Sequence, residues 1–182
     1  APGQREGTDG SDRFLCISPL HTSSGIGNGI TRPLKSGGST VLCPGFDAAR
    51  FFEWLDAFRP THYSASPTVH RAIIDEVLAR RPALPPSLRF VRSSSSGMEA
   101  SLQQKVESVL GVPVIQGYGS TETGLMAQDS PLPGRRRAGS VGTAVAGIEL
   151  MILGDHGEAL PPGRVGEILV RGPTVMHGYE ND

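Results

Sequence analysis

This 182-residue sequence has almost no net charge, few cysteines and no long apolar run. Seventeen basic residues face 18 acidic ones, so the formal net charge of −1 gives no indication of a nucleic-acid or anionic-membrane partner. The only two cysteines, Cys16 and Cys43, lie in apolar runs, which argues against a disulfide framework or a metal site and indicates buried thiols in a reducing compartment. No apolar run is long enough to span a bilayer, and the N-terminus lacks a signal-peptide pattern. We therefore expect a cytoplasmic protein that neither binds nucleic acid nor crosses a membrane.

Strand and helix patterns alternate through the first two thirds of the chain. Hydrophobic residues make up 37% of the sequence, beside 24 glycines and 15 prolines, which indicates a globular α/β protein with many loops. Short apolar runs predict buried strands, and apolar residues at helical spacing predict the helices between them. The predicted strands cover residues 14–17, 40–43, 62–65, 88–91 and 112–115, and the predicted helices cover 25–35, a segment after Asp47, a segment from Pro67, and 99–110.

This alternation predicts an α/β fold with a mostly parallel sheet and helices on both faces. We expect residues 1–12 to be a flexible lead-in and residues 13–137 to form the α/β subdomain. Residues 138–182 carry two further strand patterns, at 148–153 and 167–171, and no convincing helix. That last part is expected to be the start of an antiparallel β subdomain.

Polar segments follow three of the predicted strands, at residues 18–25, 93–97 and 117–122. In open parallel sheets, ligands bind beyond the carboxyl ends of the strands. We therefore expect one edge of the sheet to collect the residues that carry chemistry.

The stretch Gly-Tyr-Gly-Ser-Thr-Glu-Thr-Gly, residues 117–124, combines an aromatic face, hydroxyls and one carboxylate. Its glycines let the backbone turn sharply and approach a ligand closely. Tyr118 can stack on a base, Thr121 can donate to a phosphate oxygen, and Glu122 can hold Mg²⁺, a cation that prefers oxygen ligands. Taken alone, the stretch is more simply a glycine-rich turn with a capping threonine and an exposed glutamate. Agreement with other segments is what favours a nucleotide site.

Four segments, in order, are similar to motifs of the adenylate-forming (AMP-binding) enzyme superfamily, which includes acyl-CoA synthetases, adenylation domains and luciferases. They are residues 19–25 (Pro-Leu-His-Thr-Ser-Ser-Gly), 93–98 (Ser-Ser-Ser-Ser-Gly-Met), 116–124 and 166–173, the last followed by Gly178 and Tyr179. The run 61–70, together with the serines at 93–96, also resembles the oxalate–CoA ligase branch of the acyl-CoA synthetases. The resemblance covers nearly the whole chain after Asp12.

The resemblance implies an enzyme that activates a small carboxylic acid with ATP. The acid would attack the α-phosphorus, pyrophosphate would leave, and CoA would capture the acyl group from the acyl-adenylate. The resemblance also assigns residues to the site. ATP or AMP would be bound by Ser95, Ser96, Gly97, Gln116, Gly117, Tyr118, Gly119 and Thr121. The acid would be bound by His21, Ser94 and Gly117, Mg²⁺ would be held by Glu122, and the catalytic residues would be Thr121, Glu122 and His21.

Three parts of the family pattern are absent from this sequence: the phosphate loop with its lysine, the ribose-binding aspartate, and the C-terminal domain with its catalytic lysine. We therefore expect the chain to be an internal piece of the large N-terminal domain of a longer enzyme. Its first partners would be the N- and C-terminal parts of its own parent chain. The 182 residues alone are expected to be catalytically inactive.

Two other functions fit the same motifs. A peptide-synthetase type of adenylation domain would pass its acyl group to a carrier-protein thiol instead of CoA. A module that binds nucleotide or another protein without catalysis is the second alternative. Pyrophosphate exchange with amino acids, compared with CoA-dependent AMP release, separates the two enzymes.

Several side chains are interpreted more plainly. His62 and His70 have no metal-ligand spacing and are expected to be structural or on the surface, Glu167 and Arg171 are expected to pair on one face of a strand, and Tyr179 is interpreted as an ordinary aromatic residue.

The serine-rich segment 93–96, with Ser64, Ser66 and His21, favours a small polar acid such as a dicarboxylate, since unpaired donors around an alkyl chain would cost roughly 1–3 kcal/mol each. If these serines only cap a helix and face the nucleotide, a medium-chain fatty acid fits equally well.

Overall fold

Seven strands form the main sheet in a computed structural model that describes residues 7–130, 132 and 134–181. The strands are β1 (Arg13–Cys16), β2 (Ser39–Leu42), β3 (His62–Ala65), β4 (Phe90–Ser93), β5 (Val114–Ser120), β6 (Gly124–Gln128) and β7 (Thr143–Ala144). Their order is β2-β1-β3-β4-β5-β6-β7, parallel from β2 to β5 and antiparallel beyond. A separate antiparallel pair consists of β8 (Glu149–Leu153) and β9 (Glu167–Arg171).

Four helices connect or cover the parallel strands. The first, α1, is continuous through Ser23–Ile26, a π-helical turn at Gly27–Thr31, and Arg32–Ser36, and the others are α2 (Ala48–Phe58), α3 (Pro67–Arg80) and α4 (Ala100–Leu110). The predicted starts are correct because Asp47 and Ser66 accept hydrogen bonds from backbone N–H groups of the first turns of α2 and α3. No helix follows α4 within the described residues, as expected.

Helices lie on both faces of the sheet, which confirms the predicted fold class. Four side chains in register across β1, β3, β4 and β5 point to one face and pack with α2, α3 and α4 in the main hydrophobic core; they are Leu15, Tyr63, Val91 and Val114. On the opposite face, α1 approaches β1 so closely that a Cβ built at Gly29 would lie 2.6 Å from Cys16 Sγ.

The stretch 117–124 differs from the expected loop, because most of it is a β-hairpin. β5 continues through Ser120 and pairs antiparallel with β6, with a register irregularity between Tyr118 and Gly119. Gly119 permits the pairing, since a Cβ there would lie 2.1 Å from the Gly124 carbonyl oxygen. Glycine, serine and threonine gave little sign of a strand in the sequence, and pairing with β6 outweighs their propensity.

The lead-in is anchored where the structure describes it, from residue 7 onward. Asp12 is buried, its Oδ1 accepts a hydrogen bond of 2.7 Å from Arg89 Nη1, and Arg89 Nη2 donates to the Gly7 carbonyl at 2.7 Å. This differs from the expected flexible segment over 1–12, of which residues 1–6 lie outside the described residues. The segment is fixed by Arg89, which lies 77 residues from Asp12 in the chain and which no local sequence pattern identifies as its partner.

The end of the chain contains the two strands predicted there. β7 still belongs to the main sheet, so the separate sheet begins with β8, and the division at residue 137 remains a prediction. Arg171 pairs with Glu149 at 2.5 Å rather than with Glu167, because Glu149 is its direct cross-strand neighbour. Among the described residues, no helix combines the length and apolar content that crossing a bilayer requires.

Candidate functional site

Three chain segments meet at the carboxyl ends of the parallel strands. Ser94, directly after β4, has its Oγ 3.3 Å from Ser64 Oγ on β3 and 3.4 Å from Ser24 Oγ on α1. Asn28 Nδ2 donates to Ser24 Oγ at 3.3 Å. These four side chains, which we call the hydroxyl network, connect two strands to the first turns of α1.

The hairpin turn between β5 and β6 joins the same edge. Thr121 Oγ1 lies 3.1 Å from Ser23 Oγ, so the start of α1 contacts both the hairpin turn and the segment after β4. Thr22 caps this end of α1 by accepting from the Gly25 N–H at 3.0 Å. The topology thereby brings the segments 18–25, 93–97 and 117–122 to one place.

Glu122 presents an exposed, ionised carboxylate at the hairpin turn. Hydrogen bonds from the Ser120 hydroxyl and then from the Tyr179 hydroxyl lower the pKa of Glu122 to about 2, because both stabilise its charged form. The Tyr179 bond, from Oη to Glu122 Oε1, is 2.6 Å long. At neutral pH this carboxylate is therefore ionised, and its oxygens can act as ligands to a cation.

Glu122 could bind a magnesium ion only as one ligand among several. The described residues hold no group of three or more histidine, cysteine, aspartate or glutamate side chains that could enclose a metal. Mg²⁺ commonly binds through one or two carboxylates while phosphates and water complete its shell. Glu122, charged and exposed, fits that mode.

Residues 174–179, which we call the strap, cross the hairpin turn after β9. Thr174 Oγ1 donates to the Thr123 carbonyl at 2.6 Å, the Met176 N–H donates to the Glu122 carbonyl at 2.8 Å, and Tyr179 reaches the Glu122 side chain. Sequence reasoning missed this role of Tyr179. The available signal was its place directly after the fourth family-like motif.

The remaining nucleotide-motif residues line the edge of the sheet. Tyr118 is 39% exposed, and the turn formed by Ser95, Ser96 and Gly97 is exposed after β4. Gly117 is half-buried against Leu125, with 3.2 Å between an added Cβ and Leu125 Cδ1. Tyr118 and the turn after β4 are therefore accessible to a ligand, and Gly117 is partly covered by Leu125.

Two predicted residues stand apart from this group. The Gln116 side chain is buried and directed toward α4, where its Nε2 donates to Gln103 Oε1 at 2.9 Å. Its amide therefore faces the core rather than the open edge. His21 is exposed in the turn that precedes α1, beside the segment that carries Ser23 and Ser24.

Comparison with known proteins gives consistent matches over nearly the whole chain. Residues 2–180 match the family described as "AMP-binding enzyme". The chain is 39% identical over 175 residues to an indoleacetate–CoA ligase of Aromatoleum aromaticum, covering 94% of this chain and 33% of that protein. It is 34% identical over 176 residues to an oxalate–CoA ligase of Arabidopsis thaliana, covering 94% and 34%.

A solved structure of O-succinylbenzoate coenzyme A synthetase from Bacillus subtilis, in complex with ATP and magnesium ion, shares the fold with a TM-score of 0.84 and 27% identity. The match covers 100% of this chain and 37% of that one. The chain thus spans about a third of the length of the proteins it resembles.

Proposed function

We propose, because this chain belongs to the AMP-binding enzyme family, that it is part of an ATP-dependent acid–CoA ligase. In this reaction a carboxylate oxygen attacks the α-phosphorus of ATP and pyrophosphate leaves. The thiol of CoA then displaces AMP from the acyl-adenylate. The relatives named above are themselves CoA ligases, which favours CoA over a carrier protein as the acceptor.

The observation that carries the proposal is the link that α1 makes at this edge: Ser24 contacts Ser94, and Ser23 contacts Thr121, the residue before the ionised Glu122. Ser94 and Thr121 follow two different strands of one sheet edge, and α1 bridges them. Reactions at phosphorus are catalysed largely by positioning and by charge stabilisation. A sheet edge that fixes hydroxyls near a carboxylate able to hold Mg²⁺ would supply both.

The nucleotide would lie along the hairpin and the turn after β4. Tyr118 would offer its exposed ring to the adenine, and the exposed turn of Ser95, Ser96 and Gly97 would contact it through the backbone. Gly117 and Gly119 keep the hairpin free of side chains there. Gln116 contributes by fixing β5 against α4 through Gln103.

Thr121 and Glu122 would face the phosphates from the hairpin turn. The Thr121 hydroxyl, which contacts Ser23, would donate to an α-phosphate oxygen. Glu122 would hold Mg²⁺, which when bound neutralises phosphate charge.

Cys16 and Cys43 are free thiols whose pKa values are raised by burial, which accords with the reducing conditions of a cytoplasmic enzyme.

Replacing Glu122 tests this assignment. In the protein that carries this chain, Glu122→Gln should lower magnesium-dependent acyl-AMP formation about 100-fold, since the metal loses its charged ligand. The matched control is Glu180→Gln, which removes an exposed carboxylate next to Tyr179. Pyrophosphate release measures both variants, and a wild-type rate for Glu122→Gln would remove the metal assignment.

For the acid, we propose a small polar molecule bound beside the hydroxyl network, with His21 at the entrance. The two hydroxyl–hydroxyl contacts of the network, at 3.4 Å and 3.3 Å, are longer than the roughly 2.7–2.8 Å of a good hydroxyl pair. An acid oxygen that makes shorter bonds can therefore replace them. The hydroxyls already have partners, so discrimination against an alkyl chain comes from this gain rather than from unpaired donors.

Specificity constants for oxalate, malonate and octanoate measure the preference directly. We expect one of the two dicarboxylates to exceed octanoate by about 10-fold or more, which corresponds to one or two improved hydrogen bonds. A preference for octanoate would contradict the polar site and leave the ligase assignment intact.

A further inference from the structure

We propose that Tyr179 is a positioning residue for the metal-binding carboxylate: its hydroxyl holds Glu122 in the orientation in which it binds Mg²⁺. This inference rests on the proposed function, because it assigns Glu122 to the metal. It adds a residue from the far end of the chain to a site otherwise formed by the hairpin turn and α1.

The strap fixes the hairpin turn at three points. Met176 and Thr174 bind the carbonyl oxygens of two successive turn residues, Glu122 and Thr123, and so set the course of the backbone. Tyr179 then binds the carboxylate of Glu122. Backbone and side chain of the same residue are therefore held by one short segment.

The Tyr179 hydrogen bond has the properties of an orienting contact. At 2.6 Å it lies in the range of a hydroxyl bonded to an ionised carboxylate. Both side chains are largely exposed, so the bond buries little surface and contributes little to the stability of the fold. Its main effect is to limit the rotamers of Glu122 before the metal binds. Metal binding then loses less free energy to the ordering of this side chain.

The carboxylate retains the capacity to bind a cation. An ionised carboxylate has about four lone-pair sites on two oxygens. The hydroxyls of Ser120 and Tyr179 use two of them. Hydroxyl donors behind a metal-binding carboxylate are a common second layer of metal sites, and their loss typically weakens metal binding by about 10–100-fold.

The first test observes the Glu122 side chain itself, in the protein that carries this chain. In Tyr179→Phe, NMR couplings across the Glu122 side chain should show several rotamers where the wild type shows one, because the hydrogen bond that limits them is lost. His177→Ala, an exposed strap residue two positions away, is the matched control and should leave these couplings unchanged. Unchanged couplings in Tyr179→Phe would overturn the proposal.

The second test measures metal binding in the protein that carries this chain, with Mn²⁺ and ATP observed by electron paramagnetic resonance. Tyr179→Phe should weaken Mn²⁺ binding about 10-fold, and His177→Ala should not change it. In the background of Glu122→Gln, the Tyr179→Phe change should add nothing, because the two residues act through one interaction. Independent, additive effects would overturn the positioning role, as would a lowered melting temperature with unchanged metal binding.

These measurements also separate the inference from the proposed function. If Glu122→Gln abolishes metal binding while Tyr179→Phe changes neither the Glu122 rotamers nor the metal affinity, the inference fails and the ligase site stands. If neither variant changes metal binding, the metal assignment of Glu122 fails, and the inference fails with it.

Discussion

Ser95 has a backbone conformation that is costly for its residue type. Its φ of 77° lies in the left-handed region, and Ser95 belongs to the exposed turn after β4 that we assign to the adenine. A residue other than glycine loses about 1–2 kcal/mol there through contact between its Cβ and the backbone. Such strain is frequent where a turn must meet a ligand.

Replacing Ser95 by glycine should therefore stabilise the chain. We expect Ser95→Gly to raise the free energy of unfolding by about 0.5–1 kcal/mol, the relief of strain less the entropy that glycine gains in the unfolded state. Urea denaturation followed by circular dichroism measures the change. Ser96→Gly is the matched control: Ser96 has no positive φ, so the same substitution should be neutral or destabilising.

Individual site residues could be predicted from the sequence only where the topology alone decides their position. Ser94, Thr121 and Glu122 follow strands, and the order of a parallel sheet brings such residues to one edge. The direction of a side chain depends on partners that no local pattern reveals. Gln116 turns to Gln103, 13 residues away, and Tyr179 reaches Glu122 across 57 residues.

Among the elements, α1 shows how a glycine-rich sequence can still form a helix. Its three glycines have low helix propensity and disfavour a helix here. The predicted segment 25–35 is nevertheless helical, and the observed helix extends over 23–36. Gly29 allows α1 to pack against Cys16 of β1. The π-helical turn at Gly27–Thr31 was not visible in the sequence, because hydrophobic spacing does not distinguish an inserted residue from the ordinary helical repeat.

Two neighbouring glycines of α1 should respond in opposite directions to the same substitution. Gly29→Ala should lower the free energy of unfolding by about 1–3 kcal/mol, because the added methyl would lie 2.6 Å from Cys16 Sγ. Gly27→Ala meets no atom within 4 Å and should raise it by about 0.5–1 kcal/mol through helix propensity. Equal effects in thermal denaturation would contradict the close packing of α1 on β1.

Across the whole molecule, two buried histidines link stability to pH. Burial lowers the pKa of His62 to about 3, with the nearby Arg92 adding to the effect, and burial lowers the pKa of His70 to about 4. His62 stacks on Phe90, and His70 Nε2 is 3.0 Å from the Arg92 carbonyl oxygen. The prediction that His62 and His70 are structural fits these surroundings.

The sign of the pH dependence follows from these pKa values. Below the ordinary histidine pKa of 6.5 the unfolded chain binds protons that the folded chain does not. Stability is complete above pH 6.5 and is lost as the pH falls toward about 4 and about 3. Between pH 7 and pH 5 we expect a loss of about 1–2 kcal/mol for each histidine.

Urea denaturation across this pH range measures the loss. His70→Asn should flatten the slope of stability against pH, whatever its effect on absolute stability, because one of the two titrating groups is removed. His156→Asn, at an exposed turn after β8, should leave the slope as it is. A slope that His70→Asn does not change would show that His70 is not the group responsible.

The strap also sets an order of events during synthesis. Thr174 and Tyr179 lie 51 and 57 residues beyond their partners in the hairpin turn. A ribosome that adds roughly 5–20 residues per second delivers them about 3–11 s after the turn itself. Until then a nascent chain carries Glu122 without the contacts that orient it. The Glu122 carboxylate receives its hydrogen bond from Tyr179 only after translation has passed β9, so the segment that follows the last described strand completes the surroundings of this side chain.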